Sequence, residues 1–351
     1  STAVAALSAA VYSSSQVTAE PSSSAKPAVV QLSTFEVNST QDKGYVSNNA
    51  VTGFKTNQQL IDIPQAITIV TRDLIDDIGS VNSSDILRYA GASNFYRGEA
   101  LAVRGARINN SYVDEIPDNT PYMDNVFVDS YEVIRGPAAV LYMNAALGGA
   151  VLKTTRKPQA AFGGSINARL NERGFYRGEL DVTGPLYKSV DTTVSYRLST
   201  ANQGGETYFK YTKDDGFAIS PVMSVKYKNT TVLAGFDYQV LDHVPAGKAM
   251  LREDGSINTD YGRDNGGYSP GGNEHFTRKA QRVALFHSFT PNWEMKLRAN
   301  RYTFDRMGSS LGTSSINYFT DRVTFTARRN KQYYDNWTLV GDFSGKYSIY
   351  K

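Results

Sequence analysis

Glu132-Val133-Ile134-Arg135-Gly136-Pro137, then Ala138-Ala139-Val140-Leu141-Tyr142, then Leu147-Gly148-Gly149-Ala150-Val151-Leu152-Lys153-Thr154-Thr155-Arg156-Lys157-Pro158, is the stretch whose reading decides the fold. Val133 and Ile134 are strand formers. Gly136-Pro137 ends that strand, because proline has no N–H to give to a ladder. Proline also suits the first turn of a helix, which Ala138 to Met143 supplies. Gly148-Gly149 turns the backbone, since glycine accepts positive φ, and Val151 to Thr155 then makes a second strand. The order strand, tight turn, short helix, glycine turn, strand fits a small α+β domain.

Working outward, Tyr45 to Pro158 reads as one unit. Ile63-Pro64-Gln65-Ala66-Ile67-Thr68-Ile69-Val70-Thr71-Arg72 alternates with period 2 after a proline and predicts a strand. Asp73 to Ile78 has apolar residues at helical spacing, with Gly79 as its stop. Ser83 to Gly91 reads as a second capped helix. Ala100 to Gly105 and Ser111 to Ile116 read as two strands around a bend at 106–110. Asp73, Asp76 and Asp77, and the pair Asp114-Glu115, bring carboxylates together without a clustered His or Lys, so they read as solvated surface and not as an acid–base pair.

These pieces, in this order, resemble the plug domain of TonB-dependent outer-membrane receptors. The opening I-P-x-x-I-x-I-V-T, then D-I-L-x-x-x-G, V-R-G, V-D-x-I-P and E-x-I-R-G-P-x-x-x-L-Y with a later G-G and a basic-Pro exit carry the resemblance. One departure is Met143-Asn144 after Tyr142, where the family usually carries glycine. The resemblance implies a plug over 45–158 inside an antiparallel transmembrane β-barrel, 22-stranded in the family.

The residues after the plug, 159–351, change character. Ile166, Ala168 and Leu170 alternate with Asn167, Arg169 and Asn171. Val232, Ala234, Phe236, Tyr238 and Val240 form one face, and Trp293, Met295, Leu297 and Ala299 another. Runs of about ten alternating residues are the length of a tilted membrane strand. The connections are short at Gly184 to Ser189, Lys228-Asn229-Thr230 and Thr290-Pro291-Asn292, and long at Ala201 to Gly216 and Asp242 to Lys279. Short turns at one end and long loops at the other is a barrel layout; Asn171 to Gly174 is the exception. About nine strands are expected, the last near Trp337 to Tyr350. That count is odd and too small to close around a plug, and implies the first part of a barrel.

Ahead of the plug, Ala3 to Val11 is small and apolar, and Val17-Thr18-Ala19 precedes Glu20 as a cleavage site would. Residues 1–19 therefore read as the remnant of a signal peptide. Residues 20–44 are Ser-, Ala- and Pro-rich linker. Within them Thr34-Phe35-Glu36-Val37-Asn38 is short and strand-prone, suited to adding a strand to another protein's sheet edge. By position it is similar to a TonB box.

Composition narrows the function. There is no cysteine among the 351 residues, so disulfides and thiolate chemistry are excluded. Only three histidines occur and net charge is +3, which gives no histidine-rich metal site and no nucleic-acid signature. Histidine is also too sparse to supply the base that a hydrolase nucleophile needs. A passive porin or an adhesin would share the barrel pattern but not the plug motifs or the Phe35 segment. The resemblance implies no enzyme and no resident cofactor. It implies TonB-dependent uptake of a scarce nutrient, most often a ferric siderophore, with iron only as part of the cargo; cobalamin, haem and glycans stay open. The implied partners are TonB, the chelate and outer-membrane lipid. The implied ligand contacts are Tyr96, Arg97, Asn109, Asn110, Asn119, Tyr122 and Asn125. Arg104, Glu132 and Arg135 are implied in pairing between plug and barrel.

Overall fold

The computed structural model describes residues 5–10, 44–45, 49–50, 58–59, 66–81, 83–96, 100–108, 111–118, 120, 122–136, 148–244, 272–317 and 322–345, with single positions between 252 and 264. Of the deciding stretch, the helical turn expected at Ala138 to Met143 lies outside these residues, as does the Thr34 to Asn38 segment.

In the plug, Thr71 caps α1 (Arg72–Ile78) by accepting from the Leu74 N–H, and Gly79 closes it at φ 67°. The sequence-level stop is a left-handed glycine cap. α2 (Ser83–Leu87) passes into a 3-10 turn, Arg88–Ala90, which ends at Gly91 with φ 72°. The strands are β1 (Ala5–Ala10), β2 (Asn49–Ala50), β3 (Gln58–Gln59), β4 (Ala66–Val70), β5 (Ala92–Tyr96), β6 (Ala100–Val103), β7 (Ala106–Ile108), β8 (Ser111–Val113), β9 (Ile116–Asp118), β10 (Val128–Arg135) and β11 (Gly149–Thr155). The central sheet runs β4-β10-β11-β8-β9, with β11 parallel to β8. Val133, Ile134, Val151 and Leu152 are all buried, so both sheet faces are covered and the strands are apolar without alternation.

Where the sequence predicts two strands around a bend at 106–110, the structure has two hairpins, β6/β7 and β8/β9. Their two-residue turns are Arg104-Gly105 and Asp114-Glu115. Arg104, Asp114 and Glu115 take φ of 52°, 49° and 67°, a region non-glycine residues rarely enter. Asn-Gly would have announced such turns; Asp-Glu does not.

The second layer is the barrel wall: β12 (Gly163–Leu170), β13 (Tyr176–Lys188), β14 (Thr192–Gly204), β15 (Asp214–Tyr227), β16 (Thr230–His243), β17 (Asn273–Thr290), β18 (Trp293–Asn317) and β19 (Arg322–Gly345), each antiparallel to the next. Among the described residues eight wall strands stand where about nine are expected, and β18 and β19 run to 25 and 24 residues, beyond the length that spans a bilayer. β1, from the stretch read as signal-peptide remnant, lies antiparallel on β12. An uncovered edge offers its N–H and C=O groups to any extended segment.

The wall is inverted relative to a soluble protein. Arg177, Asp181, Asp237 and Arg278 are buried on the face toward the plug, while Ile166, Met223, Val283 and Leu339 are exposed on the other. That is the lumen and lipid division of an outer-membrane barrel. Ala201 of β14 and Ala218 of β15 join the plug core with Val126 and Phe127. Their small side chains let the 3-10 turn Asn125–Phe127 approach the wall.

Candidate functional site: the seam between plug and barrel

The plug segment 114–124 climbs the inner wall from mid-height toward the long-loop end, with a carboxylate at each step. Asp114 accepts from Arg282 Nη1 (3.1 Å) and from Lys157 Nζ (2.7 Å). Glu115 pairs with Arg298, which also donates to the Asp114 carbonyl (3.1 Å). Asp118 accepts from Arg278 Nη2 (2.6 Å) and from the Thr120 N–H (2.9 Å). Asp124 accepts from Arg177 Nη2 (2.6 Å), and its own N–H donates to Gln239 Oε1 (3.0 Å). On the wall, Asp237 sits between Arg278 (3.4 Å) and Arg282 (2.6 Å), fixing both guanidinium groups. A guanidinium carries several donors in a rigid fork, so one arginine bridges wall and plug at once.

Burial by itself raises the pKa of Asp118, but Arg278, Thr120 and Lys153 outweigh it and hold the carboxyl below its ordinary range. Burial likewise opposes ionisation of Asp114, and Lys157, Arg282 and Thr155 reverse that, so it too is held low. Both stay ionised at neutral pH. Each contributes stability that is full above the ordinary value of 3.8 and lost as pH falls toward the depressed one. Lys153 behaves oppositely: burial, helped by Arg278, pushes it down to about 8 against the pull of Asp118. Between about 8 and 10.5 the unfolded chain binds the proton and the folded one does not, so stability rises with pH through that window. A guanidinium denaturation midpoint is expected to climb between those limits in the parent and to stay flat there in Lys153→Met; equal slopes would show that Lys153 is not the group responsible.

The expected site residues divide. Arg97, Asn109, Asn110 and Asn119 lie outside the described residues, and Tyr96 is placed only as the last backbone position of β5. Tyr122 is buried, stacked on Phe276 at 4.7 Å with His243 edge-on at 5.6 Å, beside a small cavity of about 50 Å³. The ring wedges the plug against β16 and β17 at the long-loop end. Asn125, expected to touch ligand, is instead spent within the plug: its amide donates to the Ser80 carbonyl (2.6 Å) and accepts from the Tyr131 hydroxyl. Arg135 donates to the Ala90 carbonyl. Arg104 is exposed at the tip of its hairpin. Glu132 is buried in the middle of β10, between Ile69 and Leu152. Along 114–124 the seam therefore has the reverse polarity to that expected, with carboxylates on the plug and arginines on the wall, while Arg156 at the plug's exit keeps the expected sense toward Asp181 of β13 (3.2 Å). The pair Asp114-Glu115, read as solvated surface, is its lower anchor. Arginines spaced by four at 278 and 282 on an alternating strand were the signal available in sequence.

Residues 59–150 match the family model described as TonB-dependent Receptor Plug Domain. The chain is 29% identical over 314 residues to the ferric-pyoverdine 358 receptor of Pseudomonas putida, covering 83% of this chain and 38% of that protein. It is 29% identical over 194 residues to the ferrioxamine B receptor of Salmonella typhimurium, covering 49% of this chain and 27% of that one. The solved pyoverdine outer membrane receptor FpvA of Pseudomonas aeruginosa superposes with a TM-score of 0.77 at 21% identity, over 90% of this chain and 48% of that one. The ferric preacinetobactin receptor BauA of Acinetobacter baumannii gives 0.75 at 14% identity, over 87% and 47%. The chain spans less than half the length of these relatives. Plug and wall together define a plugged outer-membrane barrel. Residues 59–150 thus carry a TonB-dependent receptor plug domain, and the chain as a whole resembles siderophore receptors of the bacterial outer membrane.

Proposed function

We propose that this chain serves TonB-dependent uptake of a ferric siderophore across the outer membrane. The observation that carries the reading is the seam: a folded domain is fastened to the wall by buried ion pairs, so passage needs displacement of the plug and not diffusion. A porin needs no such fastening. The relatives named above are receptors for ferric pyoverdine and ferrioxamine B, which points to a hydroxamate- or catecholate-type chelate as cargo. Iron enters only within that cargo, with no resident cofactor and no covalent step. Tyr96, Arg97, Asn109, Asn110, Asn119 and Tyr122 are the residues proposed to meet it, with aromatic faces and amides suited to a polar chelate. Thr34, Phe35, Glu36, Val37 and Asn38 are proposed to add a strand to TonB after removal of residues 1–19.

Radio-iron uptake by cells expressing the receptor is the test, with ferric pyoverdine and ferrioxamine B as cargo. Uptake of at least one is expected, and it should fall to background in a TonB-deficient host and in the Phe35→Pro, Val37→Pro variant. Uptake that survives TonB loss would establish passive passage and end this reading.

A further inference from the structure

Ahead of the plug's first sheet strand, the chain is clasped to one face of α1. Gly44 donates its N–H to Asp73 Oδ2 (2.9 Å), and its carbonyl accepts from the Thr71 hydroxyl (2.9 Å). At φ 73° both backbone groups of Gly44 turn toward α1, a conformation open to glycine. The next residue, Tyr45, donates its hydroxyl to Asp77. Asp73 and Asp77 stand one turn apart on the same helix face. Thr71 is also the N-cap of α1, so one hydroxyl serves the helix and the clasp together.

These bonds join positions 27 to 32 apart and close a loop that contains β4. Among the described residues β4 is an edge strand, held to the central sheet by β10 alone. The anchorage of α1 is wider. Arg72 Nη1 donates to the Asn125 and Val128 carbonyls (2.7 and 2.6 Å), Ile75 is buried in the core, and the Gly79 carbonyl accepts from Arg169 of β12 (2.6 Å). A tension on the chain before Gly44 therefore passes through the clasp to α1 and on to the barrel wall, and β4 inside the loop is spared. The clasp is also the weakest link on that path. Tyr45 is 55% exposed, so water competes for its bonds, whereas the Arg169 side chain is 16% exposed.

We infer that this clasp is an autoinhibitory strap: closed, it shields β4 from a pull on the N-terminal segment, and its opening is the first step by which such a pull reaches the sheet. Closed, Phe35 stands at most ~30 Å of chain from Gly44, and opening adds the slack from Tyr45 to Ala66, ~70 Å when extended. The inference rests on the TonB reading for the source of the pull, and on the bonds at α1 for the strap itself.

Single-molecule pulling on the receptor carrying this chain, held in a bilayer, tests the strap without TonB or cargo. No cysteine occurs among the 351 residues, so Ser33→Cys supplies the thiol handle. The parent is expected to lengthen by ~70 Å in a first step, below the force at which the rest of the plug yields. In Tyr45→Phe, Asp73→Ala that slack is free from the outset, and the step should vanish. A parent without the step, or an identical step in the double variant, would overturn the assignment. Transport gives a second readout. With Tyr45→Cys and Asp77→Cys joined by a short bismaleimide, radio-iron uptake should fall to background while the TonB C-terminal domain still binds the receptor. Uptake at the rate of the unjoined variant would mean that the clasp need not open, and would also overturn the strap. Uptake by the parent that survives TonB loss would end the transport reading alone, with the pulling step still deciding the strap.

Discussion

Replacing Arg278 with methionine is expected to cost the plug–wall assembly about 3–5 kcal/mol, toward the lower end, read as an earlier urea midpoint and as protease cleavage of the plug in the folded receptor. The side chain is wholly buried and touches Asp118, Thr120 and Asp237. Asp237 keeps Arg282 after the change. Asp118 keeps only the Thr120 N–H and hydroxyl and the nearby charge of Lys153. The cost is thus mainly that of a buried carboxylate left without its counter-ion, which exceeds the net worth of the pair. A second substitution, Asp118→Asn, removes that orphaned charge and should restore most of the loss. Arg278→Lys should recover little, because a single ammonium cannot serve two carboxylates and a hydroxyl as a fork does. An Arg278→Met receptor with the parent midpoint would mean that this ion pair does not fasten the plug.

The second large effect falls on Gly148-Gly149. A Cβ on Gly149 would sit 2.2 Å from the Ile134 carbonyl oxygen, and one on Gly148 would sit 2.3 Å from that of Val103. Both obstacles are backbone, so no side-chain rotation relieves them; β10 and β11 must part or the 103–106 hairpin must move. Gly149 also holds φ 143°, closed to most L side chains. Alanine at either position is expected to cost more than about 4 kcal/mol, with loss of the protease-resistant plug. Gly105→Ala is the control. Its φ is 76° but nothing lies within 4 Å of the added carbon, so the cost should be only the left-handed penalty of about 1–2 kcal/mol. Similar midpoints for Gly105→Ala and Gly149→Ala would show that conformation, and not close approach, is what these glycines provide.

The Gly-Gly pair shows where reading a sequence stops. Glycine at a turn is legible from local conformational freedom, and so are Gly79 as a helix stop and the period-2 runs from Ile166 to Ala299. Each of these follows from short-range sterics or from the face a residue turns to its surroundings, which a linear pattern records. The same runs have the length of tilted membrane strands, and the plug motifs carry the resemblance to plugged outer-membrane receptors. What the sequence did not carry is anything fixed by segments far apart in the chain. The oxygen of Ile134 at Gly149, the union of Asp118 with Arg278 across 160 positions, and the withdrawal of Asn125 into the plug depend on which surfaces meet. Local rules also misjudged Asp114-Glu115, because a left-handed Asp-Glu turn is disfavoured alone and stands here with Arg282, Arg298 and Lys157 bound to its carboxylates. The layout and the family resemblance were thus legible in the sequence itself. The tertiary structure decided the sign of the seam, since a buried charge is stable only where its partner already stands, and only the folded chain brings the two together.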